Sequence, residues 1–206
     1  MDSLFDGVKE FNANDFIEHK DLFKKIGRNQ EPHTLFIGCS DSRVVPSLIT
    51  KTLPGELFVI RNIANIVPQY RSSEEFLATT SAIEYAIKIL NVSTILICGH
   101  SNCGGCNALY MNEASAKEIP HTQKWLELAK NVRNKMIRLK IADLTVREWM
   151  TEQLNIVEQM NHLLSYPYIL EKYNAGELNI LGWYYIIETG EVFNYQKDEK
   201  IFVKIE

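Results

Sequence analysis

Hydrophobic residues along this chain fall into two patterns: short unbroken runs, and longer stretches in which they recur every three or four positions. The runs are Thr34-Leu35-Phe36-Ile37, Leu57-Phe58-Val59-Ile60 and Thr94-Ile95-Leu96-Ile97-Cys98. The first is bounded by Pro32 and by Gly38-Cys39-Ser40-Asp41, and the second follows the Pro54-Gly55 turn. Short apolar runs without polar alternation are what strands covered on both faces require. Ahead of the third run, Ser72 and Glu75 have capping-box spacing, and Phe76, Thr80, Ile83, Ile87 and Leu90 follow at intervals of three and four. A long helix joining two such strands is the crossover of a parallel sheet.

The 3.6-residue period also marks the start of the chain and its second half. Residues 14–27 carry Phe16, Ile17, Phe23 and Ile26 among charges, which predicts an amphipathic helix closed by Gly27. Helices are predicted over 122–140 and 145–164, the latter opened by Thr145 with Glu148 and striped by Val146, Met150, Leu154, Val157, Met160 and Leu164. Residues 178–187 read as a strand, and 188–191 turn it back through Val192 to Tyr195 as a hairpin. There is no repeat and no linker. The pattern predicts one α/β domain over 1–206: an N-terminal helical arm (1–30), then a core (31–206) with a mostly parallel β-sheet flanked by helices and a C-terminal antiparallel hairpin.

Composition narrows the function. At 206 residues a single core suffices without staples. The 22 Lys and Arg against 26 Asp and Glu leave a net charge of −4, and no basic run offers a footprint for nucleic acid. No apolar run approaches the roughly 20 residues that cross a bilayer, and residues 1–6 lack a basic segment leading into an apolar one. The expectation is a cytoplasmic chain with no nucleic-acid or membrane partner. Its four cysteines, Cys39, Cys98, Cys103 and Cys106, then read as reduced thiols, metal ligands or a redox pair rather than as disulfides.

Cys39 lies just past the first predicted strand, while His100 and Cys103 lie just past the third. In open α/β sheets the crevice beyond the carboxyl ends of the strands is where ligands sit. Two sulfurs and one imidazole with no clear fourth partner form the ligand set of a catalytic zinc site, which keeps one position open; a structural zinc takes four. Cys98, within a strand, and Cys106, a turn inside a helix starting near Gly104, read as packing residues. Cys103 and Cys106 also spell a Cys-x-x-Cys pair, so a thiol oxidoreductase stays open. In the run Cys39-Ser40-Asp41-Ser42-Arg43, Asp41 is placed to accept a hydrogen bond from a metal-bound hydroxide, and Arg43 to hold Asp41 ionised through a two-pronged pair.

The segments Cys39-Ser40-Asp41-Ser42-Arg43-Val44, Gly55-Glu56-Leu57-Phe58-Val59-Ile60-Arg61-Asn62-Ile63-Ala64-Asn65 and Gly99-His100-Ser101-Asn102-Cys103-Gly104-Gly105 resemble the β-class carbonic anhydrases, in order and with matching gaps. The resemblance runs from about Gln30 to Asn107 and more loosely from Gly182 to Tyr195. It implies one Zn2+ per chain on Cys39, His100 and Cys103, an Asp41/Arg43 dyad, and reversible hydration of carbon dioxide to bicarbonate and a proton by zinc-bound hydroxide. It further implies that Gln30 orients substrate, that Phe58, Ile63 and Tyr85 form an apolar pocket at a dimer interface, and that Gly104 supplies a backbone donor. Asp41, released by Arg43, becomes a conditional fourth ligand. A homodimer, or a dimer of dimers, is implied as the assembly. A second subgroup carries Trp where Phe36 stands, as part of a non-catalytic bicarbonate pocket, and Phe36 implies that this chain lacks that pocket. The same site chemistry leaves two other readings: a carbon disulfide or carbonyl sulfide hydrolase, and a non-catalytic zinc-stabilised binding protein.

Overall fold

The N-terminal arm is helical but broken. In the computed structural model, which describes residues 2–71 and 77–206, α1 (Asp2–Ala13) is followed by α2 (Asp15–Glu18) and α3 (Lys20–Ile26). The single helix expected over 14–27 is therefore two, parted at His19, whose φ of −101° and ψ of 18° leave the helical region. Gly27 keeps a right-handed φ of −63° and is not a left-handed cap. Phe11, Phe16 and Phe23 stack across the break, with ring centroids 6.3, 6.0 and 5.2 Å apart.

The core then runs β1 (Thr34–Cys39), α4 (Pro46–Thr50), β2 (Leu57–Asn62), a 3₁₀ turn over Ile63–Asn65, α5 (Leu77–Lys88), β3 (Thr94–His100) and α6 (Gly104–Asn107). It continues through α7 (Glu113–Glu118), α8 (Pro120–Leu126), α9 (Lys130–Leu139), α10 (Leu144–Leu163), α11 (Pro167–Asn174), β4 (Asn179–Tyr185), β5 (Val192–Gln196) and β6 (Ile201–Lys204). The Ser72/Glu75 capping box and Phe76 lie outside the described residues; further along the same stripe, Ile83 and Ile87 are fully buried. The helix expected over 122–140 is α8 and α9, separated by a 3₁₀ turn over Glu127–Ala129.

The strands form one sheet in the order β2-β1-β3-β4-β5-β6, parallel from β2 to β4 and antiparallel at β5 and β6. β1 is buried at all six positions and β3 at six of seven, which is why their sequences show no alternation. The expected hairpin is β4–β5, with Gly190 at φ +76° in the turn, and β6 adds a further antiparallel strand to it. Since β2 and β3 flank β1 on opposite sides, the chain switches direction at β1, and a crevice opens at the carboxyl ends of β1 and β3.

α10 closes one face of the sheet through two glycines. A Cβ on Gly99 would stand 2.6 Å from Ile156, and one on Gly182 would stand 2.5 Å from Met160, so neither backbone could approach the helix so closely with a larger residue. The N-cap is Asp143, whose carboxylate accepts the Val146 N–H at 3.1 Å, and not Thr145. The predicted apolar stripe is buried only in part: Met160 is buried and Leu164 packs against the core. Val146 is exposed, and Met150, Leu154 and Val157 line a half-open groove with Phe193, Tyr195 and Phe202. The buried face mixes Ile156, Met160 and Leu163 with Glu152, Asn155, Gln159 and His162.

Candidate metal centre and active site

Cys39 ends β1, His100 ends β3, and Cys103 follows three residues later as the N-cap of α6. The three side chains converge, their ligand atoms all lying within 4.8 Å of one another, and all three residues are buried. Their chemistry fits Zn2+. The Cys39 and Cys103 sulfurs are 3.9 Å apart, close to the roughly 3.8 Å edge of a tetrahedron with Zn–S bonds of about 2.3 Å. The four cysteines are free thiols. His100 Nδ1 donates to the Ser101 carbonyl at 3.0 Å, which leaves the Nε2 lone pair as the ligand. That Nε2 is buried with no hydrogen-bond partner, an orphan that a metal ion would satisfy.

Both thiols are weakened as acids in the metal-free site. Cys103 together with burial pushes the Cys39 thiol up to about 12, and Cys106 together with burial raises Cys103. A divalent cation reverses that balance, because it binds the thiolates.

Asp41 stands at the rim of this cluster. Its Oδ1 accepts the Arg43 Nε at 2.9 Å and the Arg43 backbone N–H at 3.0 Å, and its Oδ2 accepts Arg43 Nη2 at 2.7 Å. The guanidinium holds the Asp41 carboxyl well below the usual carboxylate range. Arg43 Nη2 also donates to the Asn102 carbonyl at 3.1 Å, tying the loop after β1 to the loop after β3. Asp41 Oδ2 lies 3.9 Å from His100 Nε2.

Of the residues expected to meet substrate, Ile63 and Gly104 are at this end of the sheet. Gly104 opens α6, where N–H groups have no helical acceptor. The α6 backbone comes so near Ile63 and Ala64 that a Cβ on Gly105 would stand 2.9 Å from each. Phe58 and Tyr85 are together but elsewhere, their rings 6.0 Å apart. Phe58 pairs with Leu35, four residues before Cys39, which at about 3.3 Å per residue puts it about 13 Å from the metal ligands along the strand. Gln30 also lies at that far end, ahead of His33, whose N–H bonds the Glu56 carbonyl. Within one chain the residues expected to meet substrate therefore fall into two groups.

Sequence reasoning passed over the residues that support the ligands. Glu152 accepts the Cys103 N–H at 2.8 Å and the Tyr184 hydroxyl at 2.7 Å, and burial raises its pKa. Asn155 donates to the Ala64 carbonyl, Gln159 accepts the Val67 N–H, and His162 Nδ1 donates to the Val67 carbonyl. The signal was present: 152, 155, 159 and 162 are polar at spacings of three, four and three, one helical face. Cys106 and Cys98 are both buried, as expected of packing residues.

Comparison with known proteins agrees with this geometry. The family model described as carbonic anhydrase matches residues 34–192. A carbonic anhydrase of Helicobacter pylori (strain J99) is 42% identical over 206 residues, covering 98% of this chain and 93% of its own. Among solved structures, the β-carbonic anhydrase CcaA superposes with a TM-score of 0.95 at 35% identity over 100% of this chain and 99% of its own. One of two tetrameric β-carbonic anhydrases of Sordaria macrospora superposes at 0.80 with 31% identity, over 94% and 97%. With a matching fold, matching relatives along nearly its whole length and a buried Cys-His-Cys cluster at the switch point, the chain belongs to the β-class carbonic anhydrase family.

Proposed function

We propose that this chain interconverts carbon dioxide and bicarbonate at the crevice between β1 and β3. The observation that carries the reading is the buried triad Cys39, His100 and Cys103 beside a carboxylate clamped by Arg43. Cys39, His100 and Cys103 would hold zinc, which would supply Lewis acidity toward water near neutral pH. Two thiolates offset the charge of the ion, which favours a more alkaline optimum than three imidazoles would give.

Asp41, kept ionised by Arg43, accepts the hydrogen of the attacking oxygen and so aims its lone pair at the carbon. Ile63 contributes an apolar wall for carbon dioxide, and the Gly104 N–H donates to the oxygen that becomes negative. Gln30, Phe58 and Tyr85 complete the pocket from a second copy of the chain, since the strand register keeps Phe58, with Tyr85 beside it, from the metal ligands of its own chain. Exposed apolar residues support such a homodimer: Val59 on edge strand β2 with Leu53 beside it, Leu48 on α4, and Leu4, Phe5 and Val8 on α1. A dimer of dimers builds on the same unit.

If Arg43 releases Asp41, the carboxylate is near enough to close the site as a fourth ligand, and X-ray absorption at low and high pH tests that. The four free thiols fit a reducing, cytoplasmic location, and no helix among the described residues is long and apolar enough to cross a membrane.

The deciding experiment pairs zinc stoichiometry with stopped-flow hydration of carbon dioxide across pH, with carbonyl sulfide as the competing substrate. One zinc per chain and carbon dioxide hydration are expected, both lost in Cys39→Ser and His100→Ala. A metal-free variant with full activity refutes the assignment.

A further inference from the structure

Arg61 is not among the groups assigned to the reaction, yet it grips the loop that carries them. It sits on β2 opposite Gly38, so its side chain reaches past the end of β1. Its Nε donates to the Cys39 carbonyl at 2.9 Å and its Nη2 to the Asp41 carbonyl at 2.6 Å. One planar guanidinium thus fixes the separation between the residue that supplies a sulfur ligand and the residue that supplies the carboxylate.

The loop beyond also bonds within itself, and Arg43 ties it to the Asn102 carbonyl. The Asp41 carbonyl also accepts the Val44 N–H at 3.0 Å, and Asp41 Oδ1 accepts the Arg43 N–H at 3.0 Å. Besides the Ser40 N–H, which bonds the Asn62 carbonyl at 2.9 Å, Arg61 ties this turn to the sheet.

We propose that Arg61 is a positioning residue for the hydration reaction, acting through Asp41: its two charge-assisted hydrogen bonds hold the Asp41 carboxylate in register with the metal ligands. The inference rests on the role of Asp41 given above. Misplacement of an orienting group by 1 Å can cost up to about 100-fold in rate, so a clamp two residues wide is kinetically significant. Lysine cannot reproduce it, because an ammonium lacks the fork that spans both carbonyls.

The test measures kcat/KM for carbon dioxide in the zinc-loaded wild type, R61Q, R61K, D41N and the D41N/R61Q double variant, with zinc content and amide exchange measured on each. R61Q is expected to keep one zinc per chain and lose about tenfold in kcat/KM, with R61K between it and wild type. In the D41N background the same Arg61 change is expected to cost less than about twofold, since its route of action is already removed. Exchange of the Arg43 and Val44 amides is expected to quicken about tenfold in R61Q, while that of Leu35 and Ile37 stays unchanged. An equal loss in both backgrounds, an unaltered kcat/KM, or unaltered exchange at Arg43 and Val44 overturns the proposal. A D41N variant with full kcat/KM overturns the Asp41 reading itself, an outcome distinct from any failure confined to Arg61. Should R61Q not fold, R61K carries the same comparison.

Discussion

Replacing Gln159 by leucine tests whether the buried polar side of α10 fixes the loop beside the metal ligands. Gln159 is 0% exposed; its Oε1 accepts the Val67 N–H at 2.9 Å and its Nε2 donates to Asn155 Oδ1 at 2.8 Å. Leucine has similar bulk and no polar atom, so it strands one buried donor and one buried acceptor. Each stranded group costs about 1–3 kcal/mol. The added apolar burial offsets about 2 kcal/mol, which leaves a net destabilisation of about 2 kcal/mol when each stranded group costs about 2 kcal/mol. For a chain of this size that corresponds to a fall in Tm of roughly 4–8 °C.

The assay is denaturant and thermal unfolding of the zinc-loaded protein at one fixed protomer concentration, because ligand and assembly both shift apparent stability. Asn155→Ala supplies the second arm, since Asn155 Nδ2 donates to the Ala64 carbonyl at 2.9 Å. Both single variants break the Asn155–Gln159 bond, so the double variant is expected to cost about 1 kcal/mol less than the sum of the two. A Gln159→Leu protein within about 0.5 kcal/mol of wild type, or strict additivity of the pair, refutes the reasoning.

Three further outcomes follow from the same geometry. Because the metal-free Cys39 thiol is pushed up to about 12 and Cys103 is raised as well, both are protonated near pH 7; zinc must displace two protons, so its affinity rises with pH by about 100-fold per unit, and a flat chelator-competition profile between pH 7 and 8.5 contradicts this. If Phe58 serves the partner's zinc, co-assembled Cys39→Ser and Phe58→Ala chains form one intact site per mixed dimer, giving about a quarter of wild-type sites after random mixing; activity no higher than the two parents together rules out sharing across the interface. Cys106→Ser is expected to retain zinc and hydration at a cost of about 1–2 kcal/mol in stability, measured by denaturant unfolding, because the residue is buried and a hydroxyl still serves as a hydrogen-bonding neighbour of Cys103; loss of turnover with zinc retained returns the Cys103–Cys106 pair to consideration.

How much of this was legible depended on whether one residue's surroundings were set locally. β1 and β3 could be read because strands covered on both faces have no polar positions to confuse the pattern, although each extends two residues beyond its apolar run, through Gly38-Cys39 and Gly99-His100. The metal ligands could be read because thiols and an imidazole at two strand ends have few other uses together. The breaks at His19 and at Ala129 could not, since the apolar period continues across both and only packing interrupts the helix. β6 escaped notice because it has four residues and one exposed face. The division of the expected substrate residues into two groups depends on strand register, which places Phe58 beside Leu35 instead of Cys39.

The helix α10 and its buried Met160 were legible, and its polar side was not, for a reason that bears on the site. An apolar stripe predicts the whole buried face only when the surface it meets is itself apolar, and here α10 meets the 62–68 loop as well as β3 and β4. That loop contains Ala64 and Asn65 at φ +60° and +46°, so its backbone leaves the ladder and its polar groups need other partners. Side chains supply them in turn: Asn62 bonds both the N–H and the carbonyl of Ile66, Asn155 serves the Ala64 carbonyl, Gln159 the Val67 N–H, His162 the Val67 carbonyl and Tyr166 the Pro68 carbonyl. Satisfying a buried irregular backbone outweighs burying Met150, Leu154 and Val157, because each unpaired group costs about 1–3 kcal/mol while those side chains remain half-covered in their groove. Glu152 extends the same arrangement to the Cys103 N–H, so one helix face holds both the 62–68 loop and the start of α6.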